Sequence, residues 1–440
     1  MYKCICILLI LISFGCASPY KDIDEAQPNT EYSVLEKTNI WIYNYMNHYY
    51  LYREDLPDYS ACDFELTPTD FFNTLISDKD RFSYISFPTY YNNANYGFAY
   101  QKVKDANNQE YMYVLYTTSQ DAKQKGISRG TLLRAHDFGN TEATFDICDI
   151  KKHPFTSSRS VTLKTIYTQN NSSVYMDSIY NINGKKIGYL CYLEFDKVAD
   201  FTNSLRKFSE ANIDELILDL RYNPGGYEST CKLLCNSIVN SAAYGDIFVQ
   251  HSYNNLIAKE NMSIYGNERT FSYYSDPQEY NSSALGGPCP ALNMNKVYIL
   301  TSQYSASCSE LTIISLRAYM EVIVIGENTT GKGVGMQATS IPNFKYAIAP
   351  ITFRFFNALN ETVPDNGITP NHNVSDGYFT AKKELGETDE PLLQYALNLI
   401  TGLTQYNMTK QEKNFAISLV PVGEPSFVTE HNHKYNRYEN

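Results

Sequence analysis

The chain has 440 residues and a formal charge of −12, from 36 Lys and Arg against 48 Asp and Glu. With no basic stripe to neutralise phosphates it is not built for nucleic acid, while 43% hydrophobic residues supply a globular core. The length predicts two to three domains.

The first segment is a Lys3 followed by an apolar run, Cys4–Phe14, and then Gly15-Cys16. A largely apolar run of eleven residues falls short of the roughly 20 that span a bilayer, so this is a signal-peptide core rather than a membrane helix. A small residue followed by cysteine resembles a bacterial lipoprotein cleavage site. That resemblance implies lipidation at Cys16, with residues 16–32 as a polar tether to a membrane surface. Position 13 is Ser rather than the commoner Leu, and a plain secretory signal is the alternative.

Beyond Cys16 come Cys62, Cys148, Cys191, Cys231, Cys235, Cys289 and Cys308. An odd, irregularly spaced set without Cys-x-x-Cys makes no disulfide framework, and Cys231 and Cys235 read as small core residues on one helical face. His431 and His433 are the only close histidine pair. No metal site and no cofactor is expected.

Residues 33–94 form a small helical unit. Trp41, Tyr45, Met46 and Tyr49 recur at helical intervals within Asn39–Tyr52, and Thr69–Leu75 with Asp80-Arg-Phe-Ser83 finishes it. It reads as a cap on the core. Residues 95–165 follow, with Tyr96-Gly97-Phe98-Ala99, a strand at Tyr111–Tyr116, and Gly126-Ile-Ser-Arg-Gly130. This stretch resembles a divergent PDZ domain, although the usual Asp after the Arg-Gly pair is Thr131. The resemblance implies that Tyr96, Gly97, Phe98 and Ala99 capture a peptide terminus and add it as an extra strand. A β-rich linker without peptide affinity is the alternative.

Residues 166–403 carry the chemistry. Buried-strand patterns occur at Ile187–Leu193, Glu215–Leu220, Lys296–Leu300, Glu321–Ile325 and Phe344–Phe356, and a closing helix runs from Glu390 to Thr401. Residues 404–440 read as a polar tail. Ser307 and Lys332 stand 25 residues apart, joined by a helix over Ser309–Met320 and the strand Glu321–Ile325. Strand, crossover helix and strand make a parallel pair, so Ser307 and Lys332 share one rim of the sheet. Serine attacks only when a base takes its proton, and lysine is that base only when desolvation keeps it neutral. The strand Glu215–Leu220 brings Arg221-Tyr-Asn-Pro-Gly225-Gly226 to the same rim, where glycine N–H groups can hold an oxyanion.

These pieces resemble the C-terminal processing peptidases, family S41, which carry Arg-x-Asn-Pro-Gly-Gly, Ser-Ala-Ser-x-Ser-Glu and Gly-Lys-Gly in this order. The resemblance implies a ClpP/crotonase-like α/β catalytic domain, joined here to the helical unit and the β-rich PDZ-like domain. It makes Ser307 the nucleophile and Lys332 the base. The oxyanion hole falls to Cys308 N–H with Gly225 or Gly226, and Glu310 is a residue that orients the dyad. Members of the lipoprotein kind also carry a similar Trp/Tyr-rich helical segment and Asp-Arg-Phe-Ser. One departure is Ala318, where some relatives place an Asp. The implied function is a serine endopeptidase of the bacterial envelope, anchored by lipid and acting on protein or peptide substrates. A catalytically inactive peptide-binding lipoprotein of the same fold is the alternative, and a hydrolase of small amides or esters is a third reading.

Competing motifs fail on context. Gly326-Glu-Asn-Thr-Thr-Gly331-Lys332-Gly333 is nearly a P-loop, but Gly333 stands where Ser or Thr must ligate magnesium, and strand rather than helix follows. Gly126-Ile-Ser128-Arg-Gly130 lacks the strand of a nucleophile elbow. Ser204-Leu-Arg-Lys207 has no companion motif, and Lys207 falls on a solvated helix face.

Overall fold

The computed structural model describes residues 32–86, 94–138, 141–149, 155–167, 172–280, 287–341, 346–376, 382–403 and 419–428. Cys16, His431 and His433 lie outside the described residues.

The centre is a six-stranded sheet. Its order is His372–Asn373, Glu321–Gly326, Lys296–Thr301, Glu215–Asp219, Lys185–Tyr192 and Val174–Ile182. All neighbours pair in parallel except the last two strands, which form an antiparallel hairpin. Because successive side chains alternate faces, Leu216, Leu218, Val297 and Ile299 join one core, and Ile217, Tyr298 and Leu300 join another. Both faces are covered, which is why these strands read as continuous apolar runs. Helices Val198–Ala211, Glu228–Ile238 and Cys308–Arg317 share the first core, and helix Pro391–Thr401 shares the second with residues of the β-rich region.

That β-rich region is a second six-stranded sheet, ordered Val420–Pro421, Phe98–Lys104, Glu110–Thr117, Leu132–Phe138, Glu142–Cys148 and Ser157–Lys164. Its first strand comes from the far end of the chain. Val420 pairs with Lys104 and Pro421 with Val103, the Val422 N–H donates to Lys102 O at 2.9 Å, and Leu419 and Phe427 are buried. Residues 419–428 thus dock on the protein, where a polar tail was expected.

The N-terminal helical unit runs from Val34, capped by Ser33 and Glu36 in a capping box, to Tyr49, and continues with helix Pro68–Thr74. Its Ile42, Met46, Phe71 and Phe72 pack on Val334, Ile341, Ile348 and Ile351, next to the loop that bears Lys332. Two smaller sheets frame that loop. One is ordered Thr270–Tyr273, Ile247–Tyr253, Ile351–Phe356 and Val334–Met336, and the other joins Tyr84–Ser86, Ala347–Ala349 and Thr339–Ser340. The single strand expected over Phe344–Phe356 is split at Pro350, which has no N–H to give a ladder.

Candidate active site

Three parallel strands end on one rim and deliver three loops. After Glu215–Asp219 the chain turns through Asn223, whose Oδ1 accepts the Gly225 N–H at 2.9 Å and whose Nδ2 donates to Tyr192 O at 2.9 Å. The Asn223 carbonyl accepts the Ala306 N–H at 3.1 Å and the Ser309 hydroxyl at 2.8 Å. One buried asparagine therefore ties the glycine turn to the nucleophile segment. Gly225 has φ +114°, and a Cβ there would come within 2.8 Å of Ser307 Cβ and 3.2 Å of Cys308 N. Glycine is required by conformation and by space.

Ser307 precedes the helix Cys308–Arg317 with φ 55° and ψ −113°, a region that non-glycine residues rarely occupy. Ser307 lines a cavity of about 300 Å³ together with Lys332, Gly226, Cys308, Leu311 and Phe353 among others. Of the expected oxyanion donors, the Gly225 N–H is spent on Asn223. The Gly226 and Cys308 N–H groups have no acceptor among the described residues, and Cys308 opens the helix, where the dipole favours negative charge. Cys308 Sγ donates to Gly226 O at 3.1 Å, which holds the two backbones together.

Glu310 is fully buried in the first turn of that helix. Its Oε1 accepts Thr329 Oγ1 at 2.5 Å and the Gly331 N–H at 2.7 Å. Its Oε2 accepts the Lys332 N–H at 2.8 Å and the Ser307 N–H at 3.0 Å. Burial pushes its carboxyl pKa up, against four hydrogen bonds that pull it down. The contact to Lys332 is thus through backbone. Ala318, where a relative places Asp, merely ends the helix.

Lys332 lies behind Gly331, whose φ of +87° lets it pack against the Asp365 carbonyl. Burial holds its ammonium pKa below the ordinary lysine value, with Cys308, Glu310 and Asp80 pulling the other way. Its Nζ sits 5.6 Å from the Phe82 ring centroid. Phe82 and Arg81 belong to the Asp-Arg-Phe-Ser segment, read from sequence as part of a cap, and their meeting with a lysine 250 residues away had no sequence signal beyond that motif.

Residues 186–374 match Peptidase family S41, and residues 37–84 match the Peptidase S41 N-terminal domain. The chain belongs to peptidase family S41. This S41 chain is 26% identical over 231 residues to a carboxyl-terminal-processing protease of Picosynechococcus sp., and 27% identical over 160 residues to the carboxy-terminal processing protease CtpB of Bacillus subtilis. Those matches cover 51% and 36% of this chain, and 48% and 28% of the relatives, so it spans about half of one curated relative and less of the other. A solved structure named as an S41 protease of Bacteroides fragilis covers 86% of this S41 chain and is itself covered in full, with a TM-score of 0.69 at 22% identity. That is a likeness of fold.

The remaining expected residues lie apart from the rim or do other work. Gly97 donates its N–H to Asn95 Oδ1 at 2.9 Å and accepts from the Thr118 and Ser119 N–H groups. Phe98 and Ala99 are buried and pair with Thr117 and Tyr116. The outer edge of their strand carries Val420–Pro421. Ser128 sits in an exposed turn. Ser204 and Lys207 both bond Asp177, which accounts for their spacing. Cys231 and Cys235 are buried free thiols in the core.

A buried charge cluster escaped the sequence reading. Arg221, from the glycine turn, bonds Asp219, Asp376 and Glu390, with Nη2 to Glu390 Oε2 at 2.9 Å and Nη1 to Asp376 Oδ1 at 2.8 Å. Arg129, from the turn before the strand Leu132–Phe138 of the β-rich region, reaches the same Asp376 and, at 3.2 Å, Tyr222 Oη. Lys382 adds a third cation at 3.0 Å from Asp376. The turn that presents Gly226 is thereby fastened to the β-rich region.

Proposed function

We propose that this chain is a serine endopeptidase in which Ser307 is the nucleophile and Lys332 the general base. The observation that carries the reading is Glu310 Oε2, which accepts the N–H groups of both residues and so fixes two loops around one cavity. Neutral Lys332 takes the Ser307 hydroxyl proton as Oγ attacks the scissile carbonyl carbon. The oxyanion is held by the Gly226 and Cys308 N–H groups, with Gly225 supplying the close approach. Lys332 then gives its proton to the leaving amine as the C–N bond breaks. Water, deprotonated by Lys332, attacks the remaining ester, and the carboxylate leaves as Ser307 regains its proton.

The names of the two curated relatives support a protein or peptide substrate. Peptide capture by Tyr96, Gly97, Phe98 and Ala99 in a PDZ-like domain, lipidation of Cys16 and an envelope location belong to the same reading. No described helix is long and apolar enough to cross a membrane. No cofactor enters the mechanism.

The test is digestion of an unfolded protein such as β-casein by the purified chain beside Ser307→Ala and Lys332→Ala. Fragments from the wild type alone are expected. Peptide binding without turnover in all three supports the inactive binding protein, and fragments from Ser307→Ala overturn the assignment.

A further inference from the structure

We infer that Asp80, Arg81 and Phe82 of the N-terminal unit position Lys332 and keep water from it, so that this unit is a working part of the site and not a cap. The inference rests on reading Lys332 as the base.

Each of the three residues has a separate task. Arg81 Nη2 donates to Gly331 O at 3.1 Å and to Asp365 O at 2.8 Å. Those carbonyls belong to two backbones in direct contact: a Cβ on Gly331 would stand 2.2 Å from Asp365 O, and one on Gly367 would stand 1.9 Å from Thr329 O. One nitrogen thus pins the residue before the base against its neighbouring turn. Glu310 secures the same loop from the opposite side, through the Gly331 and Lys332 N–H groups. The loop is held from both faces.

Asp80 sets the ring. Its Oδ1 accepts the Phe82 N–H at 2.8 Å and the Ser83 N–H at 2.9 Å, and its Oδ2 accepts Tyr50 Oη at 2.8 Å. Tyr50 is fully buried just past the first helix and also accepts the Ser77 N–H at 3.1 Å. On the far side, Ser83 Oγ accepts the Ile351 N–H at 2.8 Å, and Tyr84–Ser86 pairs with Ala347–Ala349. Phe82 is therefore locked between the helical unit and a sheet, with Lys332 Nζ over its ring. An aromatic face suits both states of a base that cycles its proton. It excludes water from the neutral amine and attracts the ammonium formed when Ser307 is deprotonated.

The charged or titratable groups acting on Lys332 are Asp80, Glu310 and the Cys308 thiol, with Tyr84 and Glu228 lining the same cavity and the Arg81 guanidinium on the neighbouring carbonyl and over the Phe82 ring. Burial outweighs the anions. Opening the ring's position to water should accordingly raise the pKa of the base.

The experiment compares pH profiles of kcat/KM for wild type, Phe82→Ala, Phe82→Leu, Arg81→Ala and Arg81→Lys, with thermal unfolding of each. In Phe82→Ala the acid limb is expected to move alkaline by about one pH unit. Phe82→Leu keeps the water out but loses the ring face that attracts the ammonium, so its limb does not move alkaline while kcat falls. Arg81→Ala is expected to lose about 10- to 100-fold in kcat with KM little changed. Arg81→Lys restores most of it, because a single nitrogen makes both bonds. A Phe82→Ala profile that superimposes on wild type, or an Arg81→Ala kcat equal to wild type, overturns the inference. Lys332→Ala in the same assay separates the two levels, since full activity there sinks the base assignment itself. Acetic anhydride labelling of Lys332 across pH, read by peptide mass spectrometry, reports the same midpoint shift in a chain that turns nothing over. An unshifted midpoint in Phe82→Ala is equally fatal.

Discussion

Ser307 and Lys332 hang their backbone N–H groups on the same oxygen atom, Glu310 Oε2, at 3.0 and 2.8 Å. The proposed nucleophile and base are spaced by a buried carboxylate that reaches the main chain of each, so the separation of their backbones is fixed from one side chain. Glu310→Ala strands four donors in the interior and is expected to cost roughly 3–5 kcal/mol of stability. Glu310→Gln keeps the shape but turns an NH₂ toward N–H donors. It should cost about 1–3 kcal/mol and lower kcat about 100-fold. Denaturant unfolding beside casein cleavage measures both.

The pH dependence has a definite sign. Burial disfavours the Lys332 ammonium, so the proton leaves below the ordinary lysine range. Activity that needs the neutral amine climbs about tenfold per pH unit beneath that lowered pKa and levels off above it. A kcat/KM profile that falls on raising the pH from 6 to 8 contradicts the role.

Two glycines with positive φ should respond differently to alanine. At Gly225 the new Cβ meets Ser307 Cβ at 2.8 Å, whereas at Gly184, φ +78°, it meets nothing within 4 Å. Gly225→Ala is expected to abolish cleavage and cost about 2 kcal/mol or more. Gly184→Ala should cost about 1 kcal/mol and leave cleavage intact. Thermal shifts and rates on the two proteins decide it.

Arg129 ties the β-rich sheet to the glycine turn through Asp376 and Tyr222. Arg129→Ala leaves a buried anion short of one cation and should destabilise by roughly 3–5 kcal/mol. A double-mutant cycle with Asp376→Asn should recover a coupling of about 1–3 kcal/mol. Additive losses would mean that the pair acts independently.

The four inner strands and the rim were readable because those strands are buried on both faces, which leaves unbroken runs such as Glu215–Asp219 and Lys296–Thr301, and their ends fell within two residues of expectation, whereas the edge strands Val174–Ile182, only partly buried, and His372–Asn373 were not foreseen. Ser307 and Lys332 were readable as ends of adjacent parallel strands. What stayed hidden depends on distant segments. The ring beside Lys332 is that of Phe82, and the distant partners of Arg221 come from positions 376 and 390. The first helix begins at Val34 rather than Asn39 because Ser33 and Glu36 cap it ahead of the apolar stripe. The region 404–440 read as polar because its polar flanks outweigh the short apolar run from Phe415 to Val422, although Leu419 and Phe427 each find a buried seat.

The strand Phe98–Lys104 waits for Val420–Pro421, and Gln101 Nε2 donates to Gly423 O across 322 positions of sequence. During synthesis that end of the sheet margin stays open until residues 419–428 have followed, more than 300 positions later. Until then Val103 and Lys104 present an unpaired edge able to recruit foreign strands, and Val420–Pro421 closes it.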